Sequence, residues 1–111
     1  MAMSIDQQKR FLAVIPAYNE AERIGNVITR TMQHLPVLVV DDGSKDETAG
    51  VARLIGAEVI GQTHNLGKGA ALMTGFKYAV ENQYDAVLTL DADGQHDPAE
   101  IPLFLEAFAQ G

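Results

Sequence analysis

Along the chain, short solid apolar runs alternate with longer stretches in which apolar residues recur every three or four positions. Phe11 to Ile15 is the first run and reads as a strand buried on both faces, with Pro16 ending it. Asn19 and Glu22 have the spacing of a capping box, after which Ile24, Val27, Ile28, Met32 and Leu35 form one helical face up to Pro36. Val37 to Val40 is the second strand. Ser44 and Glu47 offer another capping box, Val51, Leu54 and Ile55 another face, and Gly56 a left-handed helix end. Glu58 to Gly61 reads as a third strand and His64 to Gly69 as a glycine-rich loop. Leu72, Phe76, Ala79 and Val80 mark a third helix, in which Gly75 allows close packing. Ala86 to Leu90 is the fourth strand. Asp97 caps a final helix after Pro98, with Ile101, Phe104, Leu105 and Phe108 on its apolar face and Pro102 interrupting its start.

This β-α-β-α-β-α-β-α alternation implies an α/β fold: a parallel sheet with helices on both faces. The expected strand order is 3-2-1-4. The reversal of order then falls between strands 1 and 4, beside the loops that begin at Pro16 and Asp91. In open α/β sheets ligands bind at such a point, off the carboxyl ends of the strands.

Charge and composition narrow the chemistry. Of 111 residues, 15 are acidic and 8 basic, a formal net charge of -7, and no basic face that would suit nucleic acid is visible. An anionic substrate would therefore need a metal or local backbone donors. With no cysteine, a disulfide framework, zinc thiolates and a thiol nucleophile are excluded. No apolar run approaches the ~20 residues of a membrane span. Residues 1–10 read as a polar lead without the apolar centre of a signal peptide, which points to a cytoplasmic chain.

The chemistry-bearing residues cluster at the predicted strand ends. Asp91 and Asp93 alternate at the end of strand 4 in Leu90-Asp91-Ala92-Asp93-Gly94-Gln95-His96-Asp97-Pro98. Two such carboxylates suit a hard divalent cation that also holds substrate phosphates; as a bland alternative they form a turn and a cap. Asp41-Asp42-Gly43-Ser44 closes strand 2, and two acids exceed what a helix cap requires. One acid is expected to bond the local turn and the other to reach toward Glu20. In Ile15-Pro16-Ala17-Tyr18-Asn19-Glu20, Tyr18 can pack on a base or ribose and Glu20 can accept from a sugar hydroxyl; taken alone, the segment is more simply a strand stop and a helix cap. His64-Asn65-Leu66-Gly67-Lys68-Gly69 satisfies neither the Walker pattern nor the dinucleotide fingerprint. What survives is a helix N-terminus carrying Lys68, a reasonable neighbour for an anion.

Taken together and in order, these four segments, with Asp46 and Thr48, resemble glycosyltransferase family 2, and most of all its dolichol- or polyprenyl-phosphate sugar transferases. The resemblance implies a Rossmann-like GT-A fold, with residues 11–111 its donor-binding half. It implies a nucleotide-diphosphate sugar, GDP- or UDP-linked, and Mg2+ or Mn2+ held by Asp91 and Asp93 as the catalytic pair. Pro16, Ala17, Tyr18, Glu20, Val40 and Asp42 would line the nucleoside pocket, Ala92 and Gln95 would flank the donor, and Lys68 would approach the diphosphate. Transfer with inversion to an acceptor such as a polyprenyl phosphate at the membrane surface follows from the same resemblance. Family members continue well past the Asp-x-Asp segment. A chain stopping at Gly111 is thus expected to bind donor, to transfer sugar poorly alone, and to leave the strand 4 edge open to a second copy. Two other readings stand beside this one. One is a non-catalytic nucleotide-binding module working with a partner chain. The other is a sugar nucleotidyltransferase, whose Gly-rich, Arg-containing first loop Pro16-Ala17-Tyr18-Asn19-Glu20 does not match.

Overall fold

The computed structural model describes residues 9–94, 97–103 and 105. Four parallel strands, β1 (Phe11–Ala17), β2 (Val37–Asp41), β3 (Glu58–Gly61) and β4 (Ala86–Thr89), form one sheet in the order β3-β2-β1-β4. Three helices connect them, α1 (Ile24–Thr31), α2 (Thr48–Ile55) and α3 (Lys68–Glu81), and a 3-10 turn at Pro98–Glu100 follows β4. The expected strand order and alternation are both present.

The solid apolar runs are explained by burial on two sides. Ala13, Ile15, Ala17, Val37 and Val39 join Ile24, Val27, Ile28, Ala52 and Ile101 in a core under α1, α2 and the 3-10 turn. Leu12, Val14, Leu38 and Val40 join Ala71 and Ala79 of α3 on the opposite face. Alternate residues of one strand thus enter different cores, so β1 and β2 can hold hardly any polar side chain before their ends. Gly75 lets α3 lie close on β1: a Cβ there would sit 2.5 Å from Val14 Cγ1. Gly56 ends α2 at φ 113, as its spacing predicts.

Several local expectations are corrected. Pro16 does not end β1; the strand runs to Ala17, with Pro16 in register with Val40. Ala13 N and Ala17 O bond toward β2, while Val14 O bonds toward β4. Pro16, in phase with Val14, therefore turns its missing N–H to the side where β4 has already ended, and no ladder bond is lost. Neither capping box forms. The residues preceding α1 and α2 make no side-chain cap bond, and Asn19 and Ser44 are used across loops instead. Leu54 (89% exposed), Val80 (77%) and, less so, Phe76 and Met32 face outward, because the sheet covers only a narrow stripe of each helix. Asp97 does cap the last turn, accepting from Ala99 N at 2.9 Å. Phe104 and Phe108 lie outside the described residues.

Candidate functional site

At the carboxyl edge of the sheet, where strand order reverses between β1 and β4, lies an open cleft of about 330 Å3. Pro16, Ala17, Tyr18 and Glu20 line it from the end of β1, Asp42 from the end of β2, and Asp91, Ala92 and Asp93 from the end of β4. Asn65, Gly67, Lys68 and Ala71 close it from the start of α3.

The wall made by the β1 and β2 ends is cross-tied. Asn19, at φ 54, donates its N–H to Ser44 Oγ (2.8 Å), and its Oδ1 accepts from Lys45 N (2.8 Å). Glu20 N donates to Thr48 Oγ1 (2.9 Å) and Ala21 N to Asp46 Oδ2 (3.2 Å). Asp46 Oδ1 in turn accepts from Thr48 N (3.0 Å) and from the Thr48 hydroxyl, and this hydroxyl bond holds the Asp46 carboxyl below its ordinary range. Three consecutive backbone donors, residues 19 to 21, are thus satisfied by one neighbouring loop, which fixes where Tyr18 and Glu20 stand. Glu20 pairs with Arg23, whose Nη2 is 2.9 Å from Oε1 and 2.7 Å from Oε2. Oε2 lies off the N–H direction. Among the described residues it is the buried side-chain polar atom left without a hydrogen bond, and a cleft hydroxyl would satisfy it.

Asp41 bonds the local turn, accepting from Ser44 N at 3.1 Å, as one of the two acids was expected to do. Asp42 does not reach toward Glu20. Its Oδ1 accepts from Gln62 Nε2 (2.9 Å) and Leu66 N (2.8 Å), and its Oδ2 from Gly67 N (2.8 Å). It therefore anchors the loop that leads into α3. Gly43 makes this approach feasible: it sits at φ +74, and a Cβ there would be 2.7 Å from Asn65 N.

The opposite wall is different. Leu90 and Ala92 bury into the core beneath α1, Ala92 also reaching the cleft wall, and Asp91 and Asp93 stand on the cleft side. Lys68 Nζ, from the first residue of α3, lies 2.7 Å from Asp91 Oδ1. Among the described residues no group of three His, Cys, Asp or Glu is placed to hold a metal. The protein thus offers a pair of carboxylates with all-oxygen donors, which fits a hard cation completed by substrate oxygens and water, and does not fit a zinc cage.

Residues 12–111 match the family model described as glycosyl transferase family 2. The chain belongs to this family. It is 40% identical over 106 residues to the undecaprenyl-phosphate mannosyltransferase of Micrococcus luteus, covering 88% of this chain and 44% of that protein. It is 35% identical over 112 residues to the polyprenol monophosphomannose synthase of Mycolicibacterium smegmatis, covering 93% and 42%. The chain therefore spans less than half the length of these curated relatives. Glucosyl-3-phosphoglycerate synthase of Mycobacterium tuberculosis, solved with Mn2+ and UDP-glucose, superposes with a TM-score of 0.76 at 27% identity, over 94% of this chain and 40% of that one. The same enzyme has been solved with UDP, also at a TM-score of 0.76. The fold is thus that of the family 2 transferases.

Of the residues singled out in the sequence, Pro16, Ala17, Tyr18, Glu20, Asp42, Lys68, Asp91, Ala92 and Asp93 meet in the one cleft. Val40 does not; it is fully buried beside Ala71, supporting the floor from below. Gln95 lies outside the described residues. Asn65, Gly67 and Ala71 also line the cleft. The signal for Ala71 is its place one turn after Gly67 on the helix that carries Lys68.

Proposed function

We propose that this family 2 chain forms the donor site of a sugar transferase that binds a nucleotide-diphosphate sugar together with Mg2+ or Mn2+. The observation that carries the reading is the cleft's polarity. A tyrosine and a carboxylate with an unsatisfied oxygen stand at one end, and two carboxylates and a helix-start lysine stand at the other. In this reading Tyr18 packs on the base or ribose and Glu20 accepts from a ribose hydroxyl. Asp42 holds the 62–67 loop in place, and Lys68 with the N-terminus of α3 meets the diphosphate. Asp91 and Asp93 are the catalytic pair that would hold the cation. The cation, once bound, neutralises charge developing on the departing diphosphate.

The curated relatives named above act on undecaprenyl or other polyprenyl carriers, which supports a polyprenyl phosphate as acceptor for the whole protein. Such an acceptor is already anionic and attacks the sugar with inversion without needing a base to deprotonate it. Its lipid tail supports work at a membrane surface. No helix among the described residues is long and apolar enough to cross the bilayer.

Calorimetric titration with GDP and UDP, with and without Mn2+, tests the reading. One nucleotide is expected to bind in a metal-dependent way that Asp93→Ala abolishes. Binding indifferent to both metal and mutation, or no binding to the folded chain, would overturn it.

A further inference from the structure

Lys68 stands where the donor-site reading would place a cation's charge. Its ammonium lies 2.7 Å from Asp91 Oδ1 on the cleft wall. The lysine side chain is 63% exposed and the aspartate 19%, so the lysine is the member with solvent around it into which its stem can turn. Lys68 is also the first residue of α3, a 14-residue helix whose N-cap Gly67 is tied by Asp42. The backbone that carries Lys68 is therefore fixed while its four-carbon stem is free to swing.

We propose that Lys68 is an internal counter-ion for Asp91. It holds the carboxylate while the cleft is empty and yields it to the divalent cation when a diphosphate offers the ammonium another partner. The proposal rests on the donor-site reading and adds a coupling to it. With Lys68 on Asp91, a divalent cation arriving alone must displace an ammonium already paired with the carboxylate, so it binds weakly. A diphosphate draws Lys68 away and supplies its own oxygens, so nucleotide strengthens metal binding. Linkage requires that metal strengthens nucleotide binding by the same factor. Lys68 is here a positioning residue for Asp91 and a specificity device against the bare ion.

The test is Mn2+ titration of the full chain, followed by the electron paramagnetic signal of free Mn2+, first without nucleotide and then with GDP and, separately, UDP. Lys68→Met removes the charge and keeps an apolar stem. It is expected to bind Mn2+ alone about threefold to fivefold more tightly than the parent, the scale of one partly exposed ion pair, and to gain less from nucleotide. Lys68→Arg is expected to restore the parent's weak binding of the bare ion. Asp93→Ala locates the ion by lowering Mn2+ affinity in both backgrounds. If Asp93→Ala matters but Lys68→Met binds bare Mn2+ no more tightly than the parent, the counter-ion is refuted and the donor site stands. If Asp93→Ala leaves Mn2+ affinity unchanged, the ion binds elsewhere, and both the donor-site reading and this proposal fail.

Discussion

The two walls of the cleft are built in opposite ways. The wall at the ends of β1 and β2 is assembled by backbone donors meeting side-chain acceptors: residues 19, 20 and 21 all donate to Ser44, Thr48 and Asp46. The wall at the end of β4 meets α3 through an ion pair between Lys68 and Asp91, both on the surface of the cleft. Bonds from backbone to a neighbouring loop fix shape whether or not anything is bound. An ion pair between side chains can be exchanged for a ligand's charges at small cost. Under the proposed donor-site reading, the first wall takes a rigid, neutral group, the nucleoside, and the second takes charge, the metal and the diphosphate.

Removing the second wall's charge should have the largest effect. Asp93→Ala is expected to lower metal-dependent nucleotide affinity by at least about 100-fold, beyond what losing a supporting partner of a metal ligand costs. The melting temperature should barely move, because Asp93 lies outside both cores. A large drop in melting temperature would show that Asp93 is structural and blur the distinction between the walls.

Asp42 joins the walls, so its loss should register in both stability and binding. Asp42→Ala removes a buried carboxylate that accepts from Leu66 N and Gly67 N across a part-buried contact, and chemical denaturation should show a loss of about 1–2 kcal/mol. Nucleotide affinity should fall with it, since the loop also positions Lys68. Unchanged stability would mean that the loop finds other acceptors and that α3 does not depend on this anchor.

On the first wall, Thr48→Val keeps the buried shape and removes the hydroxyl that accepts from Glu20 N and bonds Asp46. A loss of about 1–2 kcal/mol is expected, with nucleotide affinity weakened equally in the presence and absence of Mn2+. Weakening confined to the Mn2+ titration would contradict the division between walls.

The smallest effect is a pH dependence. Asp46 has a folded-state pKa below its ordinary 3.8, chiefly through the Thr48 hydroxyl bond. The unfolded chain therefore takes up that proton first as pH falls. The stabilisation is complete above about pH 4 and is lost as pH drops through the lower folded value. Stability measured from pH 5 to pH 3 should fall slightly less steeply in Asp46→Asn than in the parent. Identical slopes would show that the carboxylate adds nothing to the cross-tie.

Much of this architecture was legible in the sequence because it follows from burial. Apolar runs without polar interruption, such as Val37 to Val40, can only be central strands, and Gly56 and Gly75 mark a left-handed helix end and a close crossing that other residues would block. The acids at the strand ends were legible for the same reason: Asp41, Asp42, Asp91 and Asp93 sit where the cores stop. What spacing could not supply was partnership across the chain. Asn19 and Ser44 have the form of local caps, but each completes a bond with a segment about 25 residues away. Asp42 bonds the loop before α3 and leaves Glu20 to Arg23. Leu54 and Val80 lie on apolar helix faces wider than the sheet can cover, so their exposure depends on how each helix is rotated against it.

Hydrogen exchange on the chain alone, and with GDP or UDP plus Mn2+, tests the central claim most directly. The account predicts that amides 19–21 and 44–48 are already slow in the free chain. Amides 68–70 at the start of α3 and 91–93 should gain protection only when nucleotide and metal are both present. Protection that grows equally on both walls, or that appears away from the cleft, would contradict it.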